Sequence, residues 1–174
     1  MTMARLPITI VFGLLVLPTA ACQSWAERGA QQSDKPAVEA IYASAHCGRV
    51  QTTPSATWID SARQLETSIK RIRSGMLGGK PVKLPMLDFQ HEIVLLVEMG
   101  QRPTLGYRLE MAGADDLRIS QHQAQLTLDW LHPPADALVA QAITSPCLLI
   151  KLDRGSYTSI QILDRQGTIK ASTH

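Results

Sequence analysis

The chain has 174 residues and a formal net charge of +2, from 17 lysines and arginines against 15 aspartates and glutamates. This length suits one domain with a hydrophobic core. The balanced charge gives no electrostatic argument for binding nucleic acid, another polyanion or anionic lipids, so no nucleic-acid partner is expected.

The first 21 residues have the three parts of a secretory signal peptide. Arg5 supplies the positive start, residues 8–17 form a short apolar run, and small residues precede Cys22. The run is shorter than the roughly 20 residues that a membrane-spanning helix needs. Cys22 directly after two alanines suggests lipidation, which would anchor the mature chain to a membrane. Cleavage without lipidation and an uncleaved anchor are the alternatives. We expect an exported protein of the cell envelope or periplasm.

A linker and a cysteine pair follow the signal peptide. Residues 22–36 are small or polar and show no repeating apolar face, which is typical of a tether. If Cys22 carries lipid, Cys47 and Cys147 remain as an even pair in an oxidising compartment, which favours a disulfide between them. The alternative is two separate buried thiols that behave as small apolar residues.

One amphipathic helix is predicted over about residues 55–73. Ser55 or Thr57 is predicted to cap its start, and the glycines that follow position 74 to end it. Its apolar residues recur at steps of three and four and so share one face. They are Trp58, Ala62, Leu65, Ile69, Ile72 and Met76. Residues 37–54 stay ambiguous between a helix and a first strand.

Beyond Leu84 the pattern changes to that of β-strands. The apolar run 93–97 requires burial on both faces, whereas 107–111 and 126–130 alternate apolar and polar residues. Further strands are predicted at 117–120, 138–143, 147–152 and 159–163. The predicted fold over residues 37–174 is α+β and mainly β: a small antiparallel β-sandwich or open barrel, with one amphipathic helix before the main sheet.

No set of catalytic residues is recognised in the sequence. There is no G-x-S-x-G elbow, and His46 and Cys47 are neighbours whose side chains would point apart in a strand. The histidines occur singly, without the spacing that metal ligands require. We therefore expect neither an enzyme nor a bound metal or cofactor.

Two proline-containing loops are the candidate binding elements. The first runs from Gly100 to Tyr107, between a buried strand and an alternating one, and the second, at 144–146, enters an apolar strand. Rigid loops on a β scaffold commonly display binding residues. The predicted partner-binding residues are Arg102, Pro103, Thr104, Gly106, Tyr107, Thr144 and Pro146. Turn chemistry alone is the alternative explanation of both prolines.

The strings DFQHEIVLLVEMGQRPTLGYRLEM and AQAITSPCLLIKL resemble the C-terminal domain family named for PrcB, a lipoprotein component of a spirochaete surface protease complex. The resemblance covers about residues 50–163. It implies a non-enzymatic envelope domain that assists or stabilises a protease, and hence a protein partner. Leu105 replaces a common glycine, and Cys147 stands where an aromatic residue is usual.

The Pro-Thr-Leu-Gly-Tyr loop is also similar to one reactive loop of chagasin-type cysteine-protease inhibitors. That similarity implies inhibition by a loop inserted into an active-site cleft. The glycine-rich loop and the Arg-Pro-aromatic loop of those inhibitors are not evident in this sequence. A purely structural envelope lipoprotein is the third hypothesis.

Overall fold

The structure, a computed structural model, describes residues 36–74, 81–113 and 117–173. The predicted signal peptide, Cys22 and all but the last residue of the predicted linker lie outside the described residues. Among the described residues, no helix is long and apolar enough to cross a membrane.

The described part of the chain folds into nine strands and one helix. In chain order these are β1 (Val38–Ser44), β2 (Ser55–Ile59), α1 (Ala62–Ser74), β3 (Glu92–Glu98), β4 (Arg108–Met111), β5 (Leu117–Ser120), β6 (Gln123–Leu131), β7 (Cys147–Asp153), β8 (Ser159–Leu163) and β9 (Ile169–Thr173). The mainly β fold with one helix, predicted from the sequence, is confirmed.

The strands form two sheets. The first is antiparallel in the order β1-β7-β3-β2, and its two central strands carry the continuous apolar runs of the sequence. The second has the order β4-β6-β8-β9, with β5 paired to β6. Within it β6 and β8 run parallel, which departs from the antiparallel prediction.

Two apolar cores hold these layers together. The larger core lies between the sheets, where Ile93, Leu95 and Val97 of β3 meet residues such as Leu126 and Leu128 of β6. A second core lies on the other face of the first sheet, under α1 and residues 82–89. Because β3 is covered on both faces, residues 93–97 are fully buried, as their unbroken apolar run predicted.

The structure corrects the predicted start of the helix. Residues 55–59 form β2 and pair with β3, and α1 begins at Ala62. Ser55 and Thr57, predicted as caps, therefore lie within a strand. The last residue of the predicted apolar face, Met76, lies outside the described residues.

Trp58 explains this error. It stands four residues before Ala62 and so continues the helical spacing, but its side chain packs against the core between the sheets. There its ring meets that of Tyr157 edge to face, with 5.8 Å between the ring centroids. The position of Trp58 is therefore determined by its contact with Tyr157, 99 positions away in the sequence, whereas the local periodicity had placed Trp58 in the helix.

Two other segments depart from the predictions, and one segment that the sequence left open is assigned. The strand predicted at 138–143 is wrong: Leu138 is fully exposed, and the backbone N–H of Ala142 donates to the carbonyl of Ala140 at 3.0 Å, so the chain turns locally. Residues 37–54, left ambiguous, contain β1. The last strand, β9, was not predicted.

Candidate functional site

Three connections leave the first sheet at one end. They are residues 45–54, 99–107 and 132–146, and we call them together the loop end. Their placement follows from strand register, because Cys147 at the start of β7 pairs with both Ser44 at the end of β1 and Glu98 at the end of β3. Strands that begin and end at paired positions bring their loops to the same side of a sheet.

The two loops predicted to bind a partner lie side by side at the loop end. Arg102 and Thr144 exchange backbone hydrogen bonds of 2.9 Å in both directions. The Thr144 hydroxyl also donates to the carbonyl of Thr104 at 3.0 Å. Next along the chain, Leu105 N–H donates to the carbonyl of Ala140 at 3.1 Å. The two loops therefore form one hydrogen-bonded surface.

Gly100 ties the first loop to the third. Its φ of +85° belongs to the left-handed region, and a Cβ at this position would lie 2.4 Å from the carbonyl oxygen of Thr52. The next residue, Gln101, donates its N–H to the carbonyl of Gln51 at 2.8 Å. Only glycine fits this close backbone approach without a shift of the chain.

A disulfide lies under the second loop. Cys47 and Cys147 are joined with 5.9 Å between their Cα atoms. The hydroxyl of Ser145 accepts hydrogen bonds from the backbone N–H groups of Cys47, at 2.9 Å, and Gly48, at 3.0 Å. Covalent and hydrogen-bonded links thus fix the base of the loop end.

The predicted partner-binding residues differ in how far they reach solvent. Pro103 and Gly106 are exposed, whereas Thr144 is only 2% exposed and Pro146 is buried. Thr144 and Pro146 therefore support the loop from inside. Their backbone and hydroxyl groups are already bonded within the domain.

Arg102 and Tyr107 are half-buried neighbours in the first loop. Nη2 of Arg102 donates to the carbonyl of Met99 at 2.6 Å, and its guanidinium lies 6.0 Å from the centroid of the Tyr107 ring. That distance is at the limit of a cation–π contact. Thr104, also half-buried, uses its hydroxyl to donate to the carbonyl of Leu105 at 3.1 Å. These side chains stiffen the loop and keep part of their surface accessible.

The loop end exposes apolar side chains that sequence reasoning did not select. Leu138 is fully exposed and Ile143 is 69% exposed, and Val50 and Leu105 also reach solvent. The first two belong to the segment wrongly predicted as a strand. The adjacent prolines at 133–134 were the signal that this segment is a loop.

Shifted pKa values of the described residues occur away from the loop end. Burial raises the pKa of Tyr157 to about 12. Hydrogen bonds from Arg165 and Lys170 lower the pKa values of Asp129 and Asp164 respectively. Within the described ranges, no three histidine, cysteine, aspartate or glutamate residues gather to hold a metal ion.

The fold and the loop end define a β-rich domain that presents a joined set of loops at one end. Within it, residues 93–153 match the model of the family described as PrcB C-terminal. The match confirms the predicted family resemblance from β3 to β7, and it includes the connections 99–107 and 132–146. No curated protein and no solved structure matches this chain significantly.

Proposed function

We propose that this chain is an exported, non-catalytic envelope module that binds a protein partner through its loop end and assists or stabilises a protease. The observation that carries the proposal is the arrangement of the connections at the loop end. Two of its three connections lie in the matched family region, and they present exposed apolar side chains on a hydrogen-bonded base. The family description supports a protease-associated role.

The loop end has the physical properties of a protein-binding surface. Exposed leucine and isoleucine side chains lose unfavourable hydration when a partner covers them. Their loops are already fixed by the Arg102–Thr144 backbone pair and by the tight approach at Gly100. Because these loops are already ordered, binding loses little further conformational entropy, which favours a high affinity.

Export is supported by the signal pattern of the first 21 residues and by the Cys47–Cys147 disulfide, since disulfides persist in oxidising compartments. The position of Cys22 supports a lipid anchor. Metabolic labelling of the chain with a fatty-acid probe, compared with a Cys22→Ala variant, tests this part of the proposal.

Affinity capture of the full-length chain from solubilised envelopes tests partner binding. The informative variants are Leu105→Ser and Ile143→Ser, because both change exposed side chains of the loop end. Met86→Ser is the matched control: Met86 is also an exposed apolar residue, but it lies before β3. We expect a protein, identified by mass spectrometry, that the control retains and the two variants lose. Equal recovery with all variants would contradict the assignment of the loop end.

Protease inhibition is the second candidate function. It is favoured by Leu105, which is exposed next to Gly106 in a loop that Gly100 holds close to the neighbouring connection. Adding the purified chain to a captured protease separates the two functions. A lower rate of peptide cleavage supports inhibition, whereas a longer active lifetime at an unchanged initial rate supports stabilisation.

A further inference from the structure

A buried carboxylate at the edge of the loop end holds two arginines. Glu98, the last residue of β3, is 2% exposed. Its Oε1 lies 2.8 Å from Nη1 of Arg71 on α1, and its Oε2 lies 3.5 Å from Nη1 of Arg49. Ser55 completes the cluster with a hydroxyl 3.4 Å from Oε2. The carboxylate thus fixes guanidinium groups that come from two separate segments.

These arginines line an open pocket of about 390 Å³. The other lining residues include Thr57, Ser68 and Val50, whose apolar side chain is 70% exposed. Arg71 remains 39% exposed. Among the described residues, its hydrogen bonds to Glu98 and to the carbonyl of Cys47 both use Nη1. Nε and Nη2 therefore keep N–H groups for a ligand.

The charge of the pocket selects the ligand. Two guanidinium groups face one carboxylate, and no other charged side chain of the described residues lines the pocket, so one positive charge is left uncompensated among them. A monovalent anion balances this charge, whereas a phosphate dianion would overcompensate it. The planar guanidinium group forms paired hydrogen bonds with a carboxylate, and the exposed Val50 side chain can contact the carbon atoms that carry one.

We propose that this pocket binds a carboxylate of the protein partner, supplied by an acidic side chain or by a chain terminus. The ligand's identity as a partner group rests on the proposed function. The pocket adjoins the loop end, because residues 48–51 belong both to its lining and to the connection between β1 and β2. A partner that covers Val50 therefore brings its neighbouring groups within reach of Arg49 and Arg71.

Peptide probes test the pocket without the natural partner. The full-length chain in detergent, in a low-salt buffer free of carboxylate and phosphate, is titrated with three capped tripeptides and followed by the side-chain Nε–Hε NMR signals of its arginines. One probe is acetyl-Ala-Ala-Ala with a free terminus, the second is its amide, and the third is acetyl-Ala-Glu-Ala amide. We expect millimolar binding of at least one carboxylate probe at the Arg71 signal, and none of the neutral amide. The better carboxylate probe identifies the source.

Four variants separate binding from a merely structural role. Arg71→Gln should lower the affinity for the carboxylate probe about 10-fold, since it removes a charge-assisted hydrogen-bond donor. Glu98→Gln should raise the affinity for this probe, because both arginines then lose their internal counter-charge. Arg73→Gln, on the exposed face of the same helix, changes the net charge equally and should leave binding within about 2-fold. Arg71→Lys keeps the ion pair if Arg71→Gln proves unstable, and should still weaken binding.

Three results would overturn the proposal, and the first two are absence of carboxylate binding by the folded wild-type chain and equal weakening of binding by Arg71→Gln and Arg73→Gln. If Glu98→Gln lowers stability without tightening the probe, the cluster is structural only. All three outcomes are independent of partner capture, so they leave the proposed function of the loop end standing.

Discussion

Replacement of both Cys47 and Cys147 with alanine removes the cross-link under the loop end. The two cysteines are 100 positions apart in the sequence. The loop-closure entropy of a cross-link over that span stabilises a folded chain by about 4.7 kcal/mol at 25 °C, and measured values for disulfides are commonly about 2–4 kcal/mol. For a domain of this size, a loss in that range lowers the melting temperature by roughly 5–15 °C.

Urea unfolding of the wild type with and without reductant, beside the double variant, measures this loss. Reductant should destabilise the wild type and leave the double variant unchanged. In the reduced wild type, the backbone amides of Cys47 and Gly48, which donate to Ser145, should also exchange their hydrogens faster than in the oxidised wild type. A loss below about 1 kcal/mol would refute the argument that this cross-link holds the loop end in place.

Three further predictions concern the backbone and the charges. Gly100→Ala should lower the free energy of unfolding, measured in urea, by more than about 2 kcal/mol because of backbone strain and a backbone clash. Gly167 also has a positive φ but has open space around it, so Gly167→Ala should lower this free energy by only about 1 kcal/mol. His122→Gly should stabilise by about 1 kcal/mol, since His122 adopts a φ of +65° in the two-residue turn between β5 and β6. Arg165 lowers the pKa of Asp129, so their pair stabilises the fold above about pH 4 and this contribution disappears as the pH falls through the lowered value. Melting curves between pH 2 and 7 should show a smaller acid-induced loss for Asp129→Asn.

The central strands could be predicted because a local run of apolar residues indicates that they are buried. Residues 93–97 have no polar face, and a strand covered on both sides needs none. Strand β4 of the other sheet could also be predicted, since the alternation at 107–111 indicates one buried face. The parallel pairing of β6 with β8 was not accessible, because the intervening chain passes through the first sheet as β7.

The candidate site was predicted only in part, and for a physical reason. Proline and glycine mark the loop 100–107 in the sequence, but the meeting of Arg102 with Thr144 depends on the register between β3 and β7. The Glu98 cluster is also non-local, since Arg49 and Arg71 lie 49 and 27 positions away in the sequence. Leu138 was predicted to be in a strand because apolar spacing alone does not distinguish a buried strand from an exposed loop.

Site-specific photo-crosslinking in the producing cells tests whether a protein partner contacts the loop end. A photoreactive benzoyl-phenylalanine is placed at Leu105 in one variant and at Met86 in the other, and crosslinked proteins are identified by mass spectrometry. Both side chains are exposed, but only Leu105 belongs to the loop end. We expect a protein that is crosslinked from position 105 and absent from position 86. The same products from both positions, or a specific product from position 86 alone, would contradict it.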